Sequence, residues 1–308
     1  MQKWLEFAES HKKDGLLAQW DATEYRNWYL GDWATPTGIN QTDSLSIGVV
    51  TNCFLSDCYA TMAKIAKVTG RDADVPVYVQ KSKELNTLIH EAYFDPEKNS
   101  YSTGTQIDLV YPMLVKATPE DAVGGVKQTL YNETVQRFKG HLSTGLVGVP
   151  VLTQWAIENG EAEFMYQMLK KREYPGYLYM IDNGATLTWE HWNGSRSRIH
   201  NCYNGIGRWF HQALAGIMPD EEQPGYKHIN IRPQLVEGIT WVKASKNTSY
   251  GPVAVNWNIE NNVFTLNVEI PAGSTATLSL PAGAEQIEVI PAIKETGASM
   301  TLPSGQYE

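Results

Sequence analysis

Most of the chain repeats apolar residues with the period of a helix. Apolar positions recur every three to four residues over 45–69 and 75–94, and the first segment stops at Gly70, a common helix end. A further helix is predicted from a Thr118 cap to about Phe138. Shorter segments of the same kind lie at 1–13, 105–116, 147–158, 160–172 and 203–216. The pattern predicts roughly eight helices, several in adjacent pairs joined by short links.

Three long loops rich in aromatic residues and glycine interrupt this pattern. They cover 20–38, 141–150 and 174–201. Long ordered loops on a helical scaffold are common places for binding and catalytic residues. We therefore expect the functional residues of the helical part in these loops.

After residue 225 the period changes to two, the alternation of a half-buried strand. Glu260, Asn261 and Asn262 separate two such strands, so a β-hairpin is predicted there. The alternating segments are 229–233, 239–248, 252–260, 263–270, 276–281 and 286–290. The sequence thus predicts a mainly α chain with a β domain: a helical domain at 1–222, then a small antiparallel β-sandwich at 226–308.

Composition narrows the class of protein. The net charge of -9 and the lack of a dense Lys/Arg run argue against nucleic acid and anionic membranes as partners. Ten Trp and 16 Tyr against seven Phe provide apolar faces with polar groups attached. Carbohydrate sites use such faces against sugar rings, although large cores use Trp as well. A carbohydrate is the partner that this composition favours.

The cysteines and histidines do not indicate a disulfide framework or a metal site. Cys53, Cys58 and Cys202 are interpreted as buried free thiols. No His or Cys pair has zinc-ligand spacing, so neither a metal nor another cofactor is predicted. Residues 1–15 do not resemble a signal peptide, and no apolar run approaches the roughly 18 residues of a membrane span. The compartment is left open, since a longer parent protein could be periplasmic or secreted.

The densest chemical segment is 183–192, with the sequence NGATLTWEHW. It places Glu190 between Trp189 and Trp192, and a carboxylate with apolar neighbours suits general acid or base chemistry. Glycosidases use two carboxylates, one to protonate the leaving oxygen and one to act on water or on the sugar carbon. The alternative is an ion pair of Glu190 with Arg196 or Arg198, which would make Glu190 structural.

The segment GATLTWEHW resembles the GAT-x-x-W-E-x-W segment of the bacterial α-L-rhamnosidases, glycoside hydrolase family 78. Further segments resemble that family in the same order: GDW at 31–33, TGLVG at 144–148, YPGYLYM at 174–180, which is a strand in the family, and WFH at 209–211. The resemblance covers nearly the whole chain. It implies a partial (α/α)6 barrel, a helical toroid, followed by the β-sandwich. It also implies an inverting hydrolysis of terminal α-L-rhamnosides.

The resemblance also implies roles for single residues. Glu190 would be the general base that deprotonates the attacking water. Trp33 would pack against the sugar together with one tryptophan beside Glu190, and His211 would hold a hydroxyl. For Asp32 the alternative is that it caps or braces its loop, and Trp33 and His211 could equally be core residues. The candidate substrate-binding residues are Asp32, Trp33, Trp189, Trp192 and His211.

One part of the family pattern has no counterpart in the sequence. The family's general acid lies upstream, in a segment of the form D-x-x-x-R-x-E-x-x-G-W-x-G-D, and the family's barrel has six helix pairs. We therefore expect a fragment whose barrel is completed by an upstream segment or a partner chain, with the helical faces at 45–66 and 147–157 exposed. Little or no hydrolysis is expected of the chain alone, because a general acid contributes about 10²–10⁴-fold. Asp32 or Asp182 is the alternative acid.

Two other functions fit parts of the sequence. A non-catalytic carbohydrate-binding protein or a degenerate glycosidase fits the missing acid segment, and binding without turnover would identify it. A polysaccharide lyase would need a base beside cationic groups that neutralise a uronate, and Arg196 and Arg198 could serve there.

Overall fold

The computed structural model describes residues 1–20, 29–293 and 297–308, so most of the predicted loop 20–38 is described and 21–28 lies outside. The chain forms two compact units. The first consists of Met1–Trp155 and Gln167–Asn204, and the second of Ala156–Tyr166 and Gly205–Glu308. The predicted domain boundary at 222–226 stays a prediction.

The helices are α1 (Gln2–Ser10), α2 (Ile39–Thr42), α3 (Ser44–Val68), α4 (Val75–Tyr93), α5 (Gln106–Leu114), α6 (Glu120–Gln136), α7 (Gly148–Asn159), α8 (Ala162–Leu169) and α9 (Tyr177–Asp182). Two short hairpins are formed by β1 (Lys12–Lys13) with β2 (Leu16–Leu17), and by β3 (Phe94–Asp95) with β4 (Ser100–Tyr101). Helix α3 packs along α4, and α5 packs along α6. These pairs are the predicted helical hairpins.

Helices α3 and α4 show how the sequence sets such a pair. Asp43 begins α3, because its carboxylate accepts two backbone N–H groups of the first turn. The helix ends before Gly70, whose φ of 70° provides the left-handed turn expected of that glycine. Between the helices, the buried Ser56 hydroxyl donates to Asn86 Oδ1 at 2.6 Å. Local signals therefore fix both ends of α3, and a buried polar contact joins it to α4.

Two predicted features of the helical part are wrong in detail. Thr118 does not cap α6; the cap position is taken by Pro119, whose ψ of 151° is extended, and the helix begins at Glu120. The segment 174–180 is not a strand, because the N–H of Met180 bonds the carbonyl of Gly176 and the chain turns there into α9.

The predicted helix at 203–216 is also not an α-helix. The structure has a 3-10 turn at Asn204–Ile206 and a π-type turn at Trp209–Leu214. Gly205 and Gly207 interrupt this segment. Glycine is a poor residue in a helix interior, so the apolar period does not produce one continuous helix.

The two helical faces expected to be exposed differ from each other. On α3, Leu45 and Phe54 are about half exposed, and Phe54 makes an edge contact with the exposed Trp4 of α1. On α7, Leu152 and Trp155 are buried, so the predicted exposure of that face is wrong: side chains of the described residues already cover it. Exposed apolar surface of the first unit therefore includes α1 and α3.

A buried polar cluster joins α2, α3 and α5. Asp108 accepts hydrogen bonds from Ser46 Oγ at 2.7 Å, from the N–H and hydroxyl of Thr103 at 3.1 and 2.5 Å, and from Asn40 Nδ2 at 3.4 Å. Asn40 also donates to Thr105 Oγ1 at 2.6 Å. Burial raises the pKa of Asp108, and its hydroxyl and amide partners oppose that shift. The cluster anchors α2, which follows the GDW segment closely.

The second unit contains a β-sandwich. Its strands are β5 (Ile217–Pro219), β6 (His228–Ile231), β7 (Trp241–Thr248), β8 (Gly251–Glu260), β9 (Val263–Ile270), β10 (Thr275–Ser279), β11 (Ser299–Leu302) and β12 (Gly305–Tyr307). They form two four-stranded sheets, ordered β11-β10-β6-β5 and β12-β9-β8-β7. Ile231 and Leu278 from one sheet share a core with Val255 and Trp257 from the other. The predicted sandwich is confirmed, with a single parallel pair, β6 with β10, among the described strands.

The hairpin between β8 and β9 has the predicted turn. Glu260 pairs with Val263, and Asn261 and Asn262 take φ values of 50° and 64°, which suit asparagine. The predicted strand at 286–290 is absent from the described residues. Gln286 has a φ of 53°, which ends any extended run at that residue.

Candidate active site

Glu190 lies in the loop between α9 and the turn at Asn204–Ile206, and this loop is closed on itself. The Glu190 N–H donates to Ser197 O at 2.9 Å, and the Ser197 N–H donates to Glu190 Oε2 at 3.1 Å. The Thr188 hydroxyl lies 2.5 Å from His200 O and 2.6 Å from Asn204 Oδ1, so its single proton is shared between these two acceptors. The side chain of Glu190 is only 16% exposed. These bonds hold one carboxylate oxygen in a fixed direction.

The other oxygen of Glu190, Oε1, has no hydrogen-bond donor among the described residues. The nearest nitrogen atoms of basic side chains among the described residues are His191 Nε2 at 3.9 Å and Arg196 Nη1 at 4.0 Å from Oε1. Arg198 lies over the ring of Trp189, 5.1 Å from its centroid. The alternative of a structural ion pair is therefore limited to Arg196, which is at the outer distance for such a pair and two-thirds exposed.

Trp33, in the GDW segment, lies close to the Glu190 loop. Its ring centroid is 5.9 Å from that of His191, in an edge-to-face arrangement, and its side chain is partly exposed. The backbone carbonyl of Trp33 accepts the N–H of Leu146 at 2.8 Å. Trp33 and the Glu190 loop, 157 residues apart in sequence, are thus neighbours in the first unit. Trp33 is not a fully buried core residue.

Asp32 has a bracing position instead of an exposed one. It is completely buried, and its carboxylate accepts the N–H of Gly145 at 2.7 Å and the N–H groups of Val147 and Gly148 at 2.9 Å each. Burial raises its pKa to about 7, although the three backbone donors favour the charged form. The prediction that Asp32 contacts the sugar disagrees with this geometry; the alternative, that it braces its loop, agrees with it.

Trp189 and Trp192 are also buried, at 3% and 1% exposure. Trp192 stacks on Tyr203 with 3.9 Å between ring centroids, and its Nε1 donates to Thr144 O at 2.8 Å. One face of Trp189 is close to Gly194, where an added Cβ would lie 2.8 Å from the ring. Protein atoms therefore already cover these indoles. The prediction that either one walls the sugar disagrees with the structure.

His211 lies in the second unit, in the turn at Trp209–Leu214, and is exposed. The alternative that it is a core histidine is therefore wrong. Its contact with a sugar hydroxyl stays a prediction.

Two contacts of Glu190 were missed by the sequence argument. Neither His191 nor Ser197 was predicted to lie against the Glu190 carboxylate. The sequence contains a signal for the Ser197 contact, because the pair Asn193-Gly194 favours a turn. In the structure Gly194 takes a φ of 74°, as such a turn requires. A turn there brings the residues that follow it back toward Glu190.

Among the described residues, no group of three or more His, Cys, Asp or Glu side chains could hold a metal ion. No helix within these described residues has the length and apolarity needed to cross a membrane.

Comparison with relatives gives the family. Two relatives named alpha-L-rhamnosidase are a protein of Formosa agariphila, 30% identical over 295 residues, and a protein of Alteromonas sp. (strain LOR), 28% identical over 327 residues. The matches cover 91% and 100% of this chain, and 31% and 34% of the relatives. The chain spans about a third of the length of the curated relatives it matches.

Solved structures show the same fold. The alpha-L-rhamnosidase of Streptomyces avermitilis, complexed with L-rhamnose, and that of Dictyoglumus thermophilum each match with a TM-score of 0.85 and 24% identity. Each match covers 99% of this chain, and 29% and 36% of those chains. The predicted fold class, a helical glycosidase domain followed by a β domain, is confirmed.

Two family models together match almost the whole chain. That of the bacterial alpha-L-rhamnosidase 6 hairpin glycosidase domain matches residues 1–214, and that of the bacterial alpha-L-rhamnosidase C-terminal domain matches residues 216–294. The resemblance noted in the sequence is therefore confirmed, and the chain belongs to the family of bacterial alpha-L-rhamnosidases with a 6 hairpin glycosidase domain.

Proposed function

We propose that Glu190 is the general base in an inverting hydrolysis of terminal α-L-rhamnosides. The observation that carries this proposal is the asymmetry of its carboxylate. Oε2 is held by the Ser197 N–H, whereas Oε1 has no donor among the described residues. A base needs a fixed orientation and an acceptor that no protein group occupies. Glu190 would take a proton from water through Oε1 while that water attacks the anomeric carbon.

Trp33 is the side chain that we assign to the sugar itself. It is partly exposed, and its ring is next to His191, the residue after Glu190. An indole face packs well against the apolar C–H face of a sugar ring. Family membership supports L-rhamnose as that sugar, and the similar protein of Streptomyces avermitilis has been solved with L-rhamnose.

Asp32 and Asp182 are the two alternatives for the general acid within the described residues. Asp32 is buried and bonded to three backbone N–H groups, and Asp182 pairs through both oxygens with Arg172 at 2.7 and 3.1 Å. Asp32 therefore faces the backbone and not a ligand, and Asp182 is held as the charged partner of Arg172. We therefore place the acid outside the described residues, and assign this chain the base and the tryptophan of the site.

Titration of the chain with L-rhamnose tests the sugar site. We expect heat of binding from the unmodified chain and its loss in Trp33→Ala, since an aromatic face carries the contact. Trp241→Ala is the matched control, because Trp241 is 67% exposed but lies in the other unit; it should bind as the unmodified chain does. A folded chain that binds no rhamnose, or Trp33→Ala binding normally, would refute the assignment.

A further inference from the structure

We propose that Asp32 is a positioning residue, which holds Trp33 and the Glu190 loop in one arrangement through the turn at 144–148. The expected effect of Asp32 on rhamnose binding rests on the proposed function, whereas its expected effect on the positions of Trp33 and the Glu190 loop does not. Asp32 itself is buried and touches no sugar in this account.

The first step is the contact between Asp32 and the turn. Oδ2 accepts the N–H of Gly145, and Oδ1 accepts the N–H groups of Val147 and Gly148. A hydrogen bond weakens steeply when its donor and acceptor move out of line, so bonds from backbone N–H groups hold the chain in one direction. Three of them from four consecutive residues fix the path of the turn relative to Asp32. They also satisfy N–H groups at the beginning of α7, which otherwise have no partner within the helix.

The second step is the connection from the turn to the two functional segments. On one side, the N–H of Leu146 donates to the carbonyl of Trp33 at 2.8 Å. On the other, Nε1 of Trp192 donates to the carbonyl of Thr144 at 2.8 Å. Trp192 is two residues after Glu190 in the same closed loop. The turn therefore bridges the candidate sugar wall and the candidate base.

Tyr203 makes a third connection between the GDW segment and the Glu190 loop. The Tyr203 hydroxyl donates to the carbonyl of Ala34 at 2.7 Å, and the Tyr203 ring stacks on Trp192. Segment 32–34 and Trp192 thus meet both through the turn and through Tyr203. A shift of the turn would have to move Trp33 and Trp192 together or break buried hydrogen bonds.

The two glycines of the TGLVG segment leave little room for another packing. A Cβ on Gly145 would lie 1.9 Å from the carbonyl oxygen of Trp33, and a Cβ on Gly148 would lie 2.4 Å from Asp32 Oδ2. The GDW and TGLVG segments are therefore two halves of one contact. This explains in physical terms why those residue types occur together in this chain.

The variant Asp32→Asn tests whether Asp32 holds the turn at 144–148 in place or only fills a buried space. Its amide keeps one acceptor oxygen but places N–H donors against a backbone N–H donor, which leaves buried groups unpaired. Asp108→Asn is the matched control, because Asp108 is a buried carboxylate of the same unit with a raised pKa. Its partners include the hydroxyls of Ser46 and Thr103, which can rotate to donate or accept.

The test is fluorine NMR of the full chain labelled with 5-fluorotryptophan, with signals assigned by Trp33→Phe and Trp192→Phe. We expect the Trp33 and Trp192 signals both to shift or broaden in Asp32→Asn and to stay unchanged in Asp108→Asn. Asp32→Ser, which keeps an acceptor without a buried charge, is the second variant and should behave as Asp32→Asn does. Unchanged Trp33 and Trp192 signals in a folded Asp32 variant would overturn the proposal.

Two further outcomes are also decisive. If both Asp32 variants fail to fold while Asp108→Asn folds, Asp32 supports the whole unit instead of positioning two segments, and the proposal is wrong. In the same samples, L-rhamnose affinity should fall about tenfold or more in Asp32→Asn and remain in Asp108→Asn. If the unmodified chain binds no rhamnose, the proposed function fails, but the fluorine signals still decide the positioning role.

Discussion

At the scale of single residues, backbone N–H groups orient both carboxylates of the candidate site. Ser197 supplies one such group to Glu190, and the turn at 144–148 supplies three to Asp32. Backbone donors have fixed directions and lose no side-chain entropy when they bind. The arrangement therefore orients each carboxylate through the local path of the chain.

Replacement of Gly145 tests the close packing behind this arrangement. In Gly145→Ala the new Cβ would meet the carbonyl oxygen of Trp33, a backbone atom that cannot rotate away. We expect a loss of about 2–3 kcal/mol in the free energy of unfolding, measured with urea. In the control Gly124→Ala, inside α6 with open space around it, we expect a gain of about 0.5–1 kcal/mol. Equal stabilities of the two variants would contradict the packing argument.

The pH dependence of stability reports on Asp32. Its pKa is about 7 in the folded chain against an ordinary value of 3.8, so its contribution to stability is fully present below about pH 4 and is lost as the pH rises through 7. The titratable groups nearby are Asp108, Cys202 and Tyr203. Relative to Asp32→Asn, the unmodified chain should lose on the order of 2–4 kcal/mol between about pH 4 and pH 8.

Comparison of the two proteins by urea unfolding at several pH values checks this, because the other titrating groups cancel in the difference. A difference that instead stays level between about pH 5 and pH 8 would mean that Asp32 is ionised in the folded chain throughout that range. The three backbone N–H groups would then outweigh burial.

At the scale of elements, the ends of helices and hairpins follow local residue chemistry. The turn between β8 and β9 is the simplest case, since Asn261 and Asn262 both have a positive φ. Alanine in that conformation costs about 1 kcal/mol, whereas glycine costs little. We therefore expect Asn262→Ala to lower the free energy of unfolding by about that amount and Asn262→Gly to leave it nearly unchanged. Equal effects of the two changes in urea unfolding would exclude the turn as described.

The sequence predicted those elements whose signals are local, and it failed where the outcome depends on distant partners. The stop at Gly70 and the turn at Asn261 were correct because each needs only its own backbone conformation. The burial of Trp189 and Trp192 could not be predicted, because Tyr203 and Thr144 that cover Trp192 come from separate segments. An aromatic residue beside a carboxylate looks the same in sequence whether it faces a ligand or a core.

At the scale of the whole molecule, the candidate residues are divided between the two units. Glu190, Trp33 and Asp32 belong to the first, and His211 belongs to the second, which also contains residues 156–166 of α7 and α8. The sequence changes its hydrophobic period after residue 225, and a division at that point could not show that residues 156–166 belong to the second unit. The fold class, in contrast, was available from the change of period, and the family was available from motif order, since five short matches in one order are far more specific than any single one.

The central claim, that Glu190 is the general base, is tested most directly with a substrate that does not need a general acid. A 2,4-dinitrophenyl α-L-rhamnoside has a leaving group that departs without protonation, so the location of the acid does not matter. We predict turnover by the full chain, with β-L-rhamnose as the first product by proton NMR, and a loss of about 10²–10⁴-fold in kcat/KM in Glu190→Gln. The exposed Glu260→Gln in the β8–β9 hairpin should be as active as the unmodified chain. No turnover, an α-configured first product, or full activity of Glu190→Gln would contradict the claim.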